Sequence, residues 1–318
     1  MIFKVTSKDI NLLQEYLSKF KGLFDGQFDF DINQSELARG LISQLKLDNE
    51  EFINLILIES NVVKGALLSH PLSWDTQHFK LKTHRINTLI ADAKEAYDKL
   101  LFKYVGELSK KGYEYVVYRL PVNHDEVHNY LCLQKFKFLL HKTMLRCDLK
   151  KISTTSISND LSFEIFESKY EERLLNLAAD VIKINRFYLD PIIPKQFVPD
   201  VYSGWVSSFI KNSPENLKVA CCKNQIIGFY LFSNINEENK HINFQDLKAG
   251  FVGLIAVDKN FKGFGKYLLN DLNANLKKQD FNISYANTAL KNIPSLMMFQ
   301  NQGYKVFSIV SEYSLYIG

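Results

Sequence analysis

The stretch VGLIAVDKNFKGFGKYLL, residues 252–269, joins an apolar run to a leucine-rich segment through a short polar loop that contains two glycines. The apolar run predicts a buried strand over residues 250–257. After the loop, four leucines recur at helical spacing and predict a helix over residues 265–278. The order strand, glycine loop, helix is typical of an α/β domain in which a helix N-terminus faces a ligand.

The glycine loop has the residue types that bind a phosphate. N–H groups at a helix N-terminus lack intrahelical partners, and the helix dipole places roughly half a positive charge there, so a pyrophosphate fits. A side chain at Gly263 or Gly265 would hold the phosphates away or forbid the backbone angles, and Lys262 and Lys266 add positive charge. The pattern also fits a tight turn with no ligand, because it has neither the P-loop order GxxxxGKS nor the full fingerprint GxGxxG.

Outward from this loop, the chain reads as two lobes. At 318 residues it is long enough for two cores. A Ser/Thr/Asn stretch, KKISTTSISNDL at residues 150–161, lies almost midway, and the same order of strands and helices is predicted on both sides of it. We therefore predict an α/β (α+β) fold of two tandem lobes, each a mixed central sheet flanked by helices, at residues 1–150 and 161–318 with a linker at 151–160.

The first lobe is a fainter copy of the second. Its counterpart of the glycine loop is ADAKEA at residues 91–96, which contains no glycine. The sequence therefore predicts that the phosphate site is present in the second lobe alone.

Composition narrows the function classes. With 46% hydrophobic and 23% charged residues the chain is typical of a globular protein, and its net charge of +4 with scattered lysines argues against nucleic acid as a partner. No apolar run reaches the ~20 residues that span a bilayer, and MIFKVTSKD lacks the pattern of a signal peptide, so we expect no membrane partner and a cytoplasmic protein. The four cysteines show neither CxxC spacing nor an adjacent His pair, so no metal site is expected.

Two motifs resemble those of the GNAT superfamily of N-acetyltransferases. Residues 254–269 are similar to a strand ending in V-x-P, then R/Q-x-x-G-x-G/A and a leucine-rich helix. NTALKNIPSLMMFQNQGYKVF at residues 287–307 resembles T-x-x-x-N-x-x-A-x-x-x-Y-x-x-x-G-F. Asn260 stands where the family has Arg or Gln, and Lys259 where Pro is common; the first departure predicts weaker, not absent, binding of coenzyme A.

The resemblance implies an acyltransferase with acetyl-CoA as cosubstrate and a primary amine of a small molecule as acceptor. It implies that the strand at 250–257 splays from its neighbour and frees an N–H near Val257 for the thioester oxygen. The cofactor-binding residues that it implies are Ile255, Ala256, Val257, Lys262, Gly263, Phe264, Gly265, Lys266, Asn292 and Phe299.

Catalytic groups are less defined. The family's general acid is a tyrosine on the later helix, and Phe299 stands at that position. Tyr285 and Tyr304 are substitute candidates, although both also read as ordinary strand aromatics. A thiol of pKa near ~8.5 leaves tolerably as thiolate without an acid. No residue stands out as a general base. His241 lies in a polar loop, where we expect it to be solvated, so we expect water to accept the proton of the amine.

A narrower resemblance concerns the acceptor. NRFYLDP at residues 185–191, YSGW at 202–205 and LSWDTQHFKL at 72–81 are similar to segments of the dTDP-fucosamine (dTDP-4-amino-4,6-dideoxygalactose) N-acetyltransferases. This resemblance implies a nucleotide-linked amino sugar, with Arg186 on a phosphate and Asp190 on a sugar hydroxyl or the amine; a helix-end salt bridge explains either residue equally well. A non-catalytic acyl-CoA-binding regulatory or assembly protein, an acetyltransferase of proteins or peptides, and a homodimer all stay open.

Overall fold

The computed structural model describes residues 1–20, 34–152, 161–181, 184–235 and 248–318. The chain divides into two compact units. Unit 1 contains the described residues between 1 and 141 together with residues 308–318, and unit 2 contains the described residues between 142 and 307. Most of the linker predicted at 151–160 lies outside the described residues.

Unit 1 is built on a mixed sheet of six strands within the described ranges. In spatial order these are β1 (Ile2–Lys4), β2 (Leu55–Glu59), β3 (Val62–Pro71), β4 (Thr83–Ala91), β5 (Tyr115–Pro121) and β12 (Lys305–Tyr316), numbered along the chain. Only the pair β4 and β5 is parallel among the pairings described in this unit. The helices are α1 (Ile10–Leu17), α2 (Gln34–Ser43), α3 (Ser73–Phe79), α4 (Lys94–Lys110) and α5 (Asp125–Leu133).

Unit 2 repeats this arrangement. Its strands, in spatial order, are β7 (Leu161–Ile165), β8 (Leu217–Cys222), β9 (Gln225–Asn234), β10 (Ala249–Val257), β11 (Ile283–Ala289) and β6 (Lys137–Asp148). Here β10 and β11 are the parallel pair. The helices are α6 (Glu171–Val181), α7 (Arg186–Leu189), α8 (Val198–Asn212), α9 (Gly265–Lys278) and α10 (Ile293–Asn301). The predicted fold class, two α/β lobes with mixed sheets flanked by helices, is confirmed.

The unit boundaries differ from the predicted lobes at the two closing strands. Strand β6 starts in unit 1, and its residues 142–148 pair antiparallel with β11 in unit 2. Strand β12 starts in unit 2, and its residues 310–316 pair antiparallel with β5 in unit 1. The sheet of each unit is therefore completed by the closing strand of the other half of the sequence. A division at the polar stretch near residue 150 misses this exchange because strand pairing is not local in sequence.

Two apolar clusters cover the two faces of the unit 2 sheet. On one face, α9 packs four fully buried leucines against β9 and β10, as the helical spacing predicted. On the other face, α6 and α8 cover Leu254 and Ala256 of β10. Each buried leucine contributes about 1.5–3 kcal/mol by leaving water. The strand that precedes the glycine loop is thus fixed from both faces.

Within the ranges that the structure describes, no helix has the length and apolar character needed to cross a membrane.

Candidate functional site

Strands β10 and β11 part halfway along their length. Their parallel pairing runs from Ala249 opposite Ile283 to Val252 opposite Ala286 and stops there, although both strands continue. Strand β10 stays paired with β9 to its end, with a bulge at Gly253. A bulge bends the strand that carries it, which directs the remainder of β10 away from β11. We call the end of the β10–β11 pairing the vertex. The predicted splay of β10 from its neighbour is confirmed.

The open edge of β10 presents backbone N–H groups. The Asp258 N–H, just past the strand, donates to the Ile227 carbonyl of β9 (2.7 Å). Because N–H groups alternate between the two edges of a strand, those of Ile255 and Val257 face the opposite edge, where pairing with β11 has ended. This arrangement fits the predicted donor near Val257. The Ala256 side chain, by contrast, is fully buried on the α6 and α8 face, and by the same alternation its N–H faces β9, so it offers no donor to this edge.

The loop after β10 is built around one glycine conformation. A 3₁₀ turn, Lys259–Phe261, follows Asp258, whose Oδ1 accepts the Asn260 N–H (2.8 Å). Gly263 then has φ +91°, and a Cβ built there would meet no atom within 4 Å. Space is therefore not the constraint at this position. A left-handed backbone angle makes glycine the residue of choice at this point in the loop.

Gly265 has a different function from Gly263. A Cβ at Gly265 would lie 2.9 Å from the Met298 Sδ and 3.9 Å from Val257 Cγ2. The missing side chain therefore lets the first turn of α9 approach α10 and the end of β10. It brings the N-terminus of α9 to the open edge of the sheet.

The loop and the first turn of α9 form a candidate anion site. The N–H groups of Phe264, Tyr267 and Leu268 are used within the turn. For Lys262, Gly263, Gly265 and Lys266, the described part of the chain offers no acceptor to the N–H groups, and the two lysine side chains are exposed. Unpaired donors, a helix N-terminus and two cations together favour a doubly charged phosphate group. Phe264, partly buried, packs its ring against Phe261 and Tyr267 and stiffens the turn.

The predicted residues on α10 divide between the site and the core. Asn292 follows the end of β11, donates its N–H to the Ala289 carbonyl (2.8 Å) and accepts the Ser295 N–H at its side chain (3.4 Å). It therefore lies at the open end of the splay. Phe299 is only 4% exposed, with its ring centroid 5.0 Å from that of Tyr304. In this structure the turn of the helix directs Phe299 into the core, and its contact with a cofactor stays a prediction.

The two candidate acids lie on the paired side of the vertex. Tyr304 is buried, and its hydroxyl forms hydrogen bonds with Asn273 Oδ1 (2.7 Å) and Ser284 Oγ (2.7 Å). Ser284 lies in the paired part of β11, opposite Gly250 of β10. Burial raises the pKa of Tyr304 far above its usual range. Tyr285 is also buried and faces the Phe307 ring. Neither tyrosine is brought to the open edge, and His241 lies outside the described residues.

The predicted acceptor residues lie in the segment between α6 and α8. Arg186 begins α7, with its guanidinium 4.3 Å from the centroid of the Phe187 ring. Asp190 is fully buried, and its Oδ1 accepts the Ile192 N–H (3.1 Å). Lys195 Nζ donates to the Asp190 carbonyl (2.5 Å) and fixes the same turn. Asp190 thus stabilises the turn after α7, and its carboxylate is not at the surface.

Unit 1 has the splay without the anion site. Pairing of β4 with β5 stops at Ile86 opposite Tyr118, although both strands continue. However, only Asp92 and Ala93 connect the end of β4 to α4, and neither has a positive φ. The sequence-based expectation that the loop is confined to the second lobe agrees with this geometry.

Comparisons with known proteins agree with the geometry of unit 2. Residues 181–304 match the model of the Acetyltransferase (GNAT) family. No curated protein matches the sequence significantly. A GCN5-related N-acetyltransferase from Sphaerobacter thermophilus is similar in structure, with a TM-score of 0.69 and 10% identity over 100% of this chain and 95% of that one. A tandem GNAT protein from the clavulanic acid biosynthesis pathway gives a TM-score of 0.60 at 10% identity, over 100% and 98% of the two chains.

A third similar structure is larger than this chain. It is the GCN5-related glucosamine N-acetyltransferase region of a fungal multi-domain GH3 β-N-acetylglucosaminidase, with a TM-score of 0.70 and 12% identity. The match covers 99% of this chain and 38% of that protein, so the chain spans well under half of its length. At such low identities the structural matches show the fold. Together with the family match over residues 181–304 and the splayed strands, they lead to one conclusion: unit 2 has the fold of a GNAT acetyltransferase domain.

Proposed function

We propose that this chain is an acetyl-CoA-dependent N-acetyltransferase that acts on a primary amine of a small molecule. The observation that carries the proposal is the open edge of β10, which leads from the vertex to the anion site at Gly263 and Gly265. A cosubstrate with a pyrophosphate at one end and amide groups along its arm matches both features. No other edge in the described part of unit 2 ends at such a loop.

Specific residues would hold the cosubstrate. The N–H groups of Lys262, Gly263 and Gly265 and the Lys266 ammonium suit the pyrophosphate. The N–H groups of Ile255 and Val257 suit carbonyl oxygens of the arm and of the acyl group, because they are free of the sheet ladder.

The reaction needs little from side chains in this arrangement. The neutral amine nitrogen forms a bond to the acetyl carbon, the carbon–sulfur bond breaks, and coenzyme A leaves as thiolate while the amine proton passes to water. A backbone N–H at the open edge would stabilise the charge on the carbonyl oxygen. Holding both reactants in place supplies much of the rate, and a thiol with a pKa of about 8.5 leaves without an acid.

An amino sugar is the acceptor that we favour. The fungal region similar to this chain is a glucosamine N-acetyltransferase, and it matches over nearly the whole length of the chain. Residues 185–191, between α6 and α8, and residues 202–205, in α8, resemble segments of dTDP-fucosamine N-acetyltransferases, and Tyr202 and Trp205 pack against the cluster that covers Leu254 and Ala256. Both observations support a sugar amine as the acceptor.

Release of thiol from acetyl-CoA tests the proposal. The panel contains free amino sugars, nucleotide-linked amino sugars, amino acids, polyamines and peptides with free N-termini. We expect release with at least one sugar amine and a product that is heavier by one acetyl group. Absence of release with every amine would contradict the proposal, and release with peptides alone would transfer it to protein acceptors.

One observation favours a second candidate, a non-catalytic acyl-CoA-binding protein. The two predicted tyrosines, Tyr285 and Tyr304, are buried, and Phe299 occupies the position of the family's acid. None of the three therefore brings a phenol to the open edge. Calorimetry that shows tight binding of coenzyme A, combined with no turnover of any amine, would favour this candidate.

A further inference from the structure

Trp205 of α8 lies at the vertex, on the face of the sheet opposite α9. A Cβ built on Gly253, the first residue of β10 beyond the vertex, would be 3.6 Å from Trp205 Cη2. Trp205 belongs to the cluster that α6 and α8 form over β10, whereas Ile255 and Val257 pack on the α9 side. The indole therefore reaches the point where the two parallel strands part.

The glycine at the vertex leaves room for this contact. The same Cβ on Gly253 would lie 2.3 Å from Leu231 Cδ1, so any side chain there would displace Leu231, and one larger than a methyl group would also press on the indole. Trp205 itself is partly exposed, in contrast to Leu254 and Ala256 beside it, which are buried. An aromatic ring that is mostly covered by the core but partly exposed, and that lies beside a break in the sheet, offers a surface to a ligand.

A second aromatic ring borders the same surface. Tyr202 lies one turn earlier on α8, with its ring centroid 6.3 Å from that of Trp205 and an interplanar angle of 59°. Tyr202 is also partly exposed. Two rings at an angle, three residues apart on one helix, form a rigid apolar corner.

We propose that Trp205, with Tyr202 beside it, is the wall that packs against the ring of the acceptor and so sets its specificity. The inference rests on the proposed function, which brings the acetyl group to the open edge of β10. The acceptor then approaches from the α6 and α8 face, the cosubstrate from the α9 face, and they meet at Gly253. The matching acceptor is an amine on a saturated ring, such as a pyranose, whose C–H face covers the indole; a linear polyamine offers no such face.

Fluorescence measures acceptor binding without turnover. The chain has 2 tryptophans, so Trp74→Phe leaves Trp205 as the one indole. We expect amino sugars to change the Trp205 emission in a saturable way, and linear diamines of equal charge to leave it unchanged. If an amine that supports thiol release leaves the emission unchanged, the inference is overturned. If no amine supports release, the proposed function fails, while a saturable emission change with amino sugars alone still supports the acceptor wall.

Kinetics separates specificity from stability. Trp205→Leu should raise the acceptor KM about ten-fold while the Kd for coenzyme A changes less than about two-fold, because the indole contacts one reactant only. Phe209→Leu is the matched control, since Phe209 is one turn further along α8 in the same cluster. We expect it to lower the melting temperature with the acceptor KM retained. Equal effects of the two variants on KM would show a packing role for Trp205 and overturn the inference.

Discussion

Arg173 of α6 forms an ion pair with Asp258, the residue that joins β10 to the glycine loop. The side chain of Asp258 is only 12% exposed, and its other oxygen accepts the Asn260 N–H. The backbone bond from Asn260 and the Arg173 guanidinium both hold the pKa of Asp258 below its usual range. One carboxylate thus joins the first turn of the glycine loop to α6.

Loosening this pair should weaken cosubstrate binding. Arg173→Gln removes the charge that holds Asp258, and Asp258→Asn keeps an acceptor for Asn260 but loses the ion pair. We expect each to raise the Kd for coenzyme A about three- to ten-fold, because the loop donors lose their fixed directions. Calorimetry on both variants and the double variant measures the coupling, and the double variant should bind about as well as either single one.

Lys169→Gln is the control for this pair. Lys169 precedes α6 and pairs with the exposed Glu167, at 3.1 Å, where an ion pair contributes little. Its Kd for coenzyme A should equal that of the wild type. Additive effects of Arg173→Gln and Asp258→Asn would contradict a shared function in the loop.

Gly263 and Gly112 allow backbone strain to be separated from ligand binding. Gly263 has φ +91° and Gly112 has φ +69°, and a Cβ at either position would meet no atom within 4 Å. Alanine at each should therefore lower the free energy of unfolding by about 1 kcal/mol through strain. Only Gly263→Ala should raise the Kd for coenzyme A, and we expect more than about ten-fold because the loop N–H groups change direction. Equal Kd values for the two variants would exclude the loop from binding.

The local part of the site could be predicted from sequence because its signals lie close together in the chain. The helix over 265–278 was predicted with the bounds that the structure shows, since its apolar residues recur at helical spacing. The strand before the glycine loop was predicted within one residue of Ala249–Val257. A phosphate-binding loop can also be predicted in this way, because its N–H donors come from consecutive residues of one turn.

Contacts between distant residues could not be predicted in this way. Arg173 and Asp258 are 85 residues apart, and neither position stands out by pattern. The first seven residues of α10 read IPSLMMF, with apolar side chains on all sides, so periodicity does not show which face is buried. The structure leaves Met297 54% exposed and buries Phe299, a difference that the apolar pattern does not indicate. Tyr304 became an acid candidate because its buried partners were unknown.

Tyr304→Phe should lower stability and leave turnover unchanged. Its hydroxyl joins Asn273 of α9 to Ser284 of β11, and its removal leaves the buried Asn273 oxygen without this donor. The expected loss is about 1–3 kcal/mol in the free energy of unfolding, with kcat within about two-fold of the wild type. Denaturant unfolding and the thiol-release assay measure the two quantities. A pH–rate profile that loses its alkaline limb in this variant would instead identify Tyr304 as the acid.

His84 should make unit 1 sensitive to acid. The imidazole is fully buried, with Nε2 2.9 Å from the Glu51 carbonyl and Nδ1 2.8 Å from the Tyr104 hydroxyl. Because a carbonyl only accepts, Nε2 carries the proton and Nδ1 accepts from Tyr104. Burial lowers the pKa of His84 from 6.5 to about 4. The folded protein therefore keeps the ring neutral where the unfolded chain would protonate it.

The pH range of this effect follows from the two pKa values. Above pH 6.5 neither state binds the proton, and between pH 6.5 and 4 the unfolded state binds more of it, so stability falls as the pH falls. The total loss is about 3 kcal/mol, complete near pH 4. His84→Gln keeps a donor and an acceptor but cannot titrate. Urea unfolding followed by Trp74 emission in Trp205→Phe chains should give a shallower pH dependence for His84→Gln, and parallel curves would show that His84 does not titrate in this range.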